Sequence, residues 1–281
     1  MYNAPHRDPE HADHVRNKAE AKAVNEASHL SARLVYHVVL REGEEELKRP
    51  NAALFWAGIA AGLMISVSVM AEAVLKAHLP EVPWAVYIAD FGYCFGFLLV
   101  ILSRMQLFTE NTISTVLPLL THRDGTTLWK VARLWALVLG ANIIGAFLAA
   151  AFFVHTSALP PEMSTAMGKI SVTATSAGAW ENFWRAIPAG ILIAALVWMI
   201  SSGDHEYFLI ITAFTWLIAA GDFQHVIAGS VEMAHVVLSG AGDLPELLVR
   251  WFGPVLLGNV IGGTAIFTLT AWGQVQQEVQ G

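Results

Sequence analysis

Of the 281 residues, 55% are hydrophobic and only 14% charged, and the mean hydropathy is +0.52, whereas a soluble domain carries about a quarter charged residues. The apolar residues fall in runs able to cross a bilayer core of about 30 Å, so the chain reads as an integral membrane protein with little room for a soluble catalytic domain. A lone cysteine, Cys94, excludes an intrachain disulfide framework or thiolate metal cluster, and the net charge of −7 conceals an asymmetry, eight of the sixteen Lys and Arg preceding residue 50.

Residues 1–27 are polar, His-rich and without apolar periodicity, and are expected to be disordered or loosely helical, with no cleavable signal peptide. The histidines at 6, 11, 14, 29 and 37 are irregularly spaced and fit a solvated tail better than a metal site. Residues 28–49 predict an amphipathic helix, on the membrane surface or against the bundle. Leu30, Leu34 and Val38 form its apolar row, with Val35 and Val39 beside them and Arg33, Arg41 and Glu44 to Glu46 opposite. Pro50 ends it. Six apolar segments follow, at about 51–76, 84–121, 128–154, 183–202, 206–239 and 245–274. Trp56, Trp84, Trp129, Trp184 and Trp272 stand near their ends, as interfacial aromatics do. The expected layout is an N-terminal arm at 1–50, a transmembrane domain at 51–276 and a tail at 277–281. Lys and Arg counts place both termini in the cytoplasm.

The chain repeats itself. Phe55-Trp56-Ala57-Gly58-Ile59-Ala60-Ala61-Gly62 returns as Phe183-Trp184-Arg185-Ala186-Ile187-Pro188-Ala189-Gly190, and Gly140-Ala141-Asn142-Ile143-Ile144-Gly145 as Leu257-Gly258-Asn259-Val260-Ile261-Gly262. Each copy holds three segments, an odd number, so the second enters the bilayer from the opposite side. This predicts an all-α polytopic fold of two inverted three-helix repeats. The second and fifth segments are too long for single spans: 38 residues of helix would reach about 57 Å. They are expected to be broken, at 107–112 and 221–225, because irregular backbone at membrane depth survives only beside protein or a water-filled cavity. An offset of 117 residues relates Asn142 to Asn259 and carries His225 onto Phe108.

The chemistry is expected at these breaks. A helix N-terminus carries about half a positive charge and several unpaired N–H groups, so two such termini facing each other favour a small anion. Thr109 offers a hydroxyl, and His225 a side chain that titrates near neutrality. Asn111 belongs to the same polar stretch. Phe91, Phe95, Phe108 and Phe223 are candidates for hydrophobic constrictions, beside the commoner role of helix packing. An Arg104–Glu110 pair is expected to shape the first break, because an intramembrane arginine is usually paired; the alternative leaves Glu110 free. Asn142 and Asn259 are expected to bind freed backbone groups. Asp222 and Glu232 read as inter-protomer pairs or helix caps rather than a proton relay, and Glu72 as a solvated residue near the outer interface. No nucleophile–base set, metal cluster or nucleotide loop appears, so no enzyme activity, cofactor or nucleic-acid partner is expected.

Leu107-Phe108-Thr109-Glu110-Asn111, the Gly221-to-His225 pattern ending Gln224-His225, and the two Asn-x-x-Gly segments resemble the formate/nitrite transporter family over about residues 51–275, in particular a divergent inner-membrane branch of bacteria. The resemblance implies an aquaporin-like protomer with its own pore and assembly as a homopentamer. It also implies passage of small monovalent anions such as formate, nitrite or hydrosulfide, often with a proton, and Thr109 and His225 match the family's central threonine and histidine. Three positions depart from the pattern. Gly178 stands where a vestibule lysine is usual, with Lys169 nine residues earlier, Ala194 or a neighbour replaces an asparagine, and Glu110 occupies a usually small or neutral place. These departures keep open a channel for neutral or cationic solutes, or a non-conducting scaffold that works through its N-terminal arm.

Overall fold

The computed structural model describes residues 30–203 and 206–280, which form helices joined by turns. The expectations for residues 1–27 and for the histidines at 6, 11, 14 and 29 lie outside the described residues.

Helix α1 (Ala32–Lys48) starts at Ser31, whose hydroxyl oxygen accepts the Leu34 N–H at 3.4 Å. It packs on the bundle, but the buried row is Val35, Val39, Gly43 and Leu47, with Tyr36 beside it, and Leu30 is exposed. The row keeps the expected four-residue spacing and is rotated by one position. The cause is Gly43: its missing side chain lets the helix lie against the Ser114 carbonyl, where any Cβ would collide. Polar bonds hold the same contact, Tyr36 Oη to Thr121 Oγ1 at 2.9 Å and Arg133 donating to the Leu47 carbonyl at 3.1 Å.

The remaining elements are α2 (Asn51–His78), α3 (Ala85–Ala89), α4 (Cys94–Leu102), α5 (Asn111–Ser114), α6 (Val116–His122), α7 (Gly125–His155), α8 (Pro161–Ala174), α9 (Ala179–Ile200), α10 (Tyr207–Ala220) and α11 (Val226–Leu238). The last run comprises α12 (Leu244–Leu247), α13 (Gly253–Val260) and α14 (Leu269–Gln280), linked by π-helical stretches at Leu248–Phe252 and Ile261–Thr268. Among the described residues, five runs are long and apolar enough to cross a membrane: Asn51–His78, Ala85–Leu102, Gly125–His155, Ala179–Ile200 and Leu244–Glu278. The fifth expected segment is instead two shorter apolar helices, α10 and α11. Helix α8 was not expected; its Pro-Pro start and Ser/Thr content mask a buried stripe of Ala166, Met167 and Ile170 that packs toward α2 and α11.

Close helix contact at two glycine pairs sets the frame. Gly62 of α2 lies against the Asn142 carbonyl of α7, and Gly145 against the Ile59 carbonyl. Gly190 of α9 lies in the same way on the Asn259 carbonyl, and Gly262 on the Ile187 carbonyl. Small residues let backbones approach where lipid gives helices no hydrophobic reason to associate.

Candidate functional site

Both expected breaks are present, and their ends are built alike. Helix α4 stops where Arg104 turns left-handed (φ 55°), with the Met105 N–H donating to the Val100 carbonyl at 3.0 Å. Helix α10 stops where Asp222 does the same (φ 50°), with the Phe223 N–H donating to the Ile218 carbonyl at 2.9 Å. These are αL helix endings with the chain-reversing bonds that satisfy terminal carbonyls. Beyond them, α5 and α6 join through Thr115 into one helical stretch, and α11 restarts after His225.

Asn142 and Asn259 clamp the irregular backbone, as expected. Asn142 Oδ1 accepts the Phe108 N–H at 2.9 Å while its amide donates to the Gly58 and Gln106 carbonyls, both at 2.8 Å. Asn259 Oδ1 accepts the Val226 N–H at 2.8 Å while its amide donates to the Ala186 and Gln224 carbonyls at 2.7 and 2.8 Å. The correspondence runs Phe108 to Val226 and Gln106 to Gln224. His225 therefore matches Leu107, one residue away from the Phe108 position that the asparagine spacing gave.

The two breaks meet in one bond. Thr109 Oγ1 lies 2.8 Å from His225 Nε2, with both residues buried. His225 Nδ1 accepts the Ala228 N–H of its own helix at 3.3 Å. With Nδ1 an acceptor, the proton sits on Nε2, which donates to Thr109. The threonine hydroxyl hydrogen is left to point elsewhere. Phe97 closes over the imidazole edge-on, with ring centres 5.0 Å apart.

The other expected site residues divide. Asn111 is committed to structure, its amide donating to Gln106 Oε1 and the Leu107 carbonyl at 3.3 Å each. Phe108 is buried edge-on against Trp135 and borders an apolar groove of about 340 Å³ between α7 and α13. Phe223 lies at the second break with its ring folded over Gly221. Phe91 and Phe95 are 46% and 53% exposed, and Phe91 stacks on Trp216 at 5.6 Å. Phe95 faces away from the bundle because it stands two residues before the buried Phe97 on α4, and Phe91 lies in the turn between α3 and α4. The Arg104–Glu110 pair is absent. The Arg104 side chain is 83% exposed and reaches Glu42 of α1 at 3.8 Å, since the left-handed turn that ends α4 swings it outward. Glu110 Oε1 is buried with no partner among the described residues.

Sequence reasoning missed Phe97, Gln106 and Gln224. The glutamines carried a signal, each standing just ahead of the residue whose N–H an asparagine takes. Gln224 Oε1 accepts the Trp251 indole N–H at 3.0 Å. At the C-terminal end of α2, a cavity of about 920 Å³ is lined by Glu72, Lys76, Pro83, Glu162 and Lys169 among others. Gly178, at the usual lysine place, precedes α9 as its N-cap, and Ala194 is fully buried.

The formate/nitrite transporter family model matches residues 33–273. The chain belongs to the formate/nitrite transporter family. Family membership makes it a membrane transport protein rather than an enzyme. "Inner membrane protein YfdC" of Escherichia coli K12 is 34% identical over 277 residues, covering 96% of this chain and 89% of that protein. "Formate channel FocA" of the same strain is 28% identical, covering 78% and 85%. A solved pentameric formate channel with formate bound superposes with a TM-score of 0.68 at 18% identity over 81% of this chain and 98% of its own. Another solved structure, an FNT family ion channel, gives the same score over 90% of this chain. The shared fold thus extends over 81% to 90% of this chain.

Proposed function

We propose that this chain is a channel or transporter for small monovalent anions and their weak acids, of the formate, nitrite and hydrosulfide class. It works in the bacterial inner membrane as a homopentamer with one pore per protomer and both termini cytoplasmic. The twin asparagine clamps and twin left-handed endings support six segments in two inverted three-helix repeats, with α10 and α11 together making the fifth. The family and its formate-channel relatives support the substrate class.

The observation that carries the reading is the buried 2.8 Å bond from Thr109 to His225, which joins the two breaks. His225 spends its Nε2–H on Thr109, so the threonine hydroxyl donates to a substrate oxygen. Helix ends on either side add partial positive charge. A bare anion here would pay several kcal/mol of desolvation. It crosses the centre as the neutral acid after gaining a proton.

Proteoliposome flux of formate, nitrite, hydrosulfide and ammonium tests this. Formate or nitrite should move, and His225→Ala or Thr109→Ala should bring the rate near that of protein-free vesicles. A second reading, passage of neutral or cationic solutes, is favoured by the unpartnered Glu110 carboxylate; ammonium flux without anion flux would establish it instead. No flux of any solute, with a cellular effect confined to loss of residues 1–49, would leave the scaffold reading.

A further inference from the structure

Proton-linked passage needs a proton donor, and the central histidine is poorly placed to be one. Its Nδ1 accepts the Ala228 N–H and its Nε2–H is given to Thr109, so donating a proton breaks the bond that joins the two breaks. A different acid stands nearby. Glu232 lies seven residues after His225 on α11, hence on the same helix face and about 10 Å along the axis. It is 6% exposed, and no hydrogen bond or ion pair reaches its carboxylate among the described residues. It sits in the interior of α11, so it caps no helix. Its Oε2 lies over Gly229, 3.4 Å from where a Cβ would stand, one turn back toward His225.

The surroundings lead outward from it. Tyr93 packs on Phe97 at 5.3 Å, Phe97 packs on His225, and Gly92, next to Tyr93, lies against the Glu72 backbone of α2. Helix α11, which carries Glu232, packs on α2, and Glu72 and Lys76 of α2 both line the 920 Å³ cavity. Other titratable groups facing this region are Asp90 and Asp222, which act on Glu72, and His235 on α11 itself. Helix α8 sets Gly168 beside His235 and sends Glu162 and Lys169 into the cavity. The buried face of α7 carries no titratable group. The last helical run presents Trp251 against Gly229, with Arg250 held by the Thr175 carbonyl and Glu246.

We propose that Glu232 is the proton donor of the passage, loaded from the cavity through Glu72. The proposal rests on the weak-acid reading above. The Glu232 carboxylic O–H bond breaks and its proton forms an O–H bond on the carboxylate of formate. Glu232 is left as carboxylate and formic acid moves on past Thr109. A proton from the cavity then restores Glu232, so one proton crosses with each formate.

The test uses the full chain in proteoliposomes carrying an internal pH dye, with formate flux and proton movement recorded across external pH. Wild type should move formate and protons together. Glu232→Gln should lower coupled proton movement by about ten-fold or more while the oligomer and melting temperature stay at the wild-type values. Glu232→Asp, which keeps a titratable group, should restore coupled movement with a displaced pH profile. If Glu232→Gln is unstable, Glu232→Asp decides alone, and an unchanged pH profile overturns the proposal. Glu232→Gln with wild-type flux and proton movement also overturns it, leaving the weak-acid reading intact. Wild-type protein that moves no weak acid removes that reading and this proposal with it.

Discussion

Asn142 makes three buried bonds that no other residue type reproduces, one accepted from the Phe108 N–H and two donated to the Gly58 and Gln106 carbonyls. Alanine there strands three backbone groups away from water, at about 1–3 kcal/mol each. Asn142→Ala should cost more than about 3 kcal/mol, read as a large fall in the melting temperature of the detergent-solubilised protein. Asn142→Asp keeps the acceptor but sets a carboxylate oxygen against the two carbonyls, and should cost at least as much as alanine. Arg104 teaches the opposite lesson. Its charge looked like an intramembrane partner for Glu110, yet its backbone is what matters, held left-handed at φ 55° with the side chain outside. Arg104→Gly should therefore be tolerated or stabilise by up to about 1 kcal/mol. A collapse of the oligomer in that variant would restore the idea of an Arg104–Glu110 pair.

Helix pairs in this protein meet through backbone, not through large side chains. Gly62 and Gly190 each lie on the carbonyl of a clamping asparagine, so the contact that holds two helices together also positions the clamp. Gly62→Ala should push α2 from α7, misplace Asn142 and lower both stability and flux. Gly140→Ala, on the same α7 with nothing near its Cβ direction, should leave both unchanged. Equal losses from the two would mean that close approach at Gly62 does not set the cost, since helix preference by itself favours alanine. The repeat was legible here because glycine and asparagine recur at matched places. Helix α8 was not, because its apolar stripe is short and opens on two prolines.

Across the whole protomer, α1 takes the second of its two expected places and packs against the bundle. It closes under α5 and α6 through Gly43, Tyr36 and the His122–Glu44 contact at 2.8 Å, so it supports the segment carrying Thr109. Gly43→Leu should force α1 away from the Ser114 carbonyl. The expected readout is faster proteolysis near residues 30–50 and weaker flux, with the apolar spans still membrane-inserted. Wild-type proteolysis in that variant would show that the helix docks without needing the glycine.

Hydropathy and repetition are read directly along a chain, and they pointed to the membrane class, the two broken segments and the paired asparagines, while the choice of Thr109 and His225 leaned also on resemblance to the formate/nitrite transporter family. Partnership across helices is not local. Which way Arg104 swings, which phenylalanine covers the imidazole, and the one-residue shift that sets His225 opposite Leu107 depend on how far apart packed backbones lie and how each helix is rotated. Those quantities arise only when glycine contacts, buried amide bonds and helix ends are satisfied together, so they were absent from any single stretch of residues.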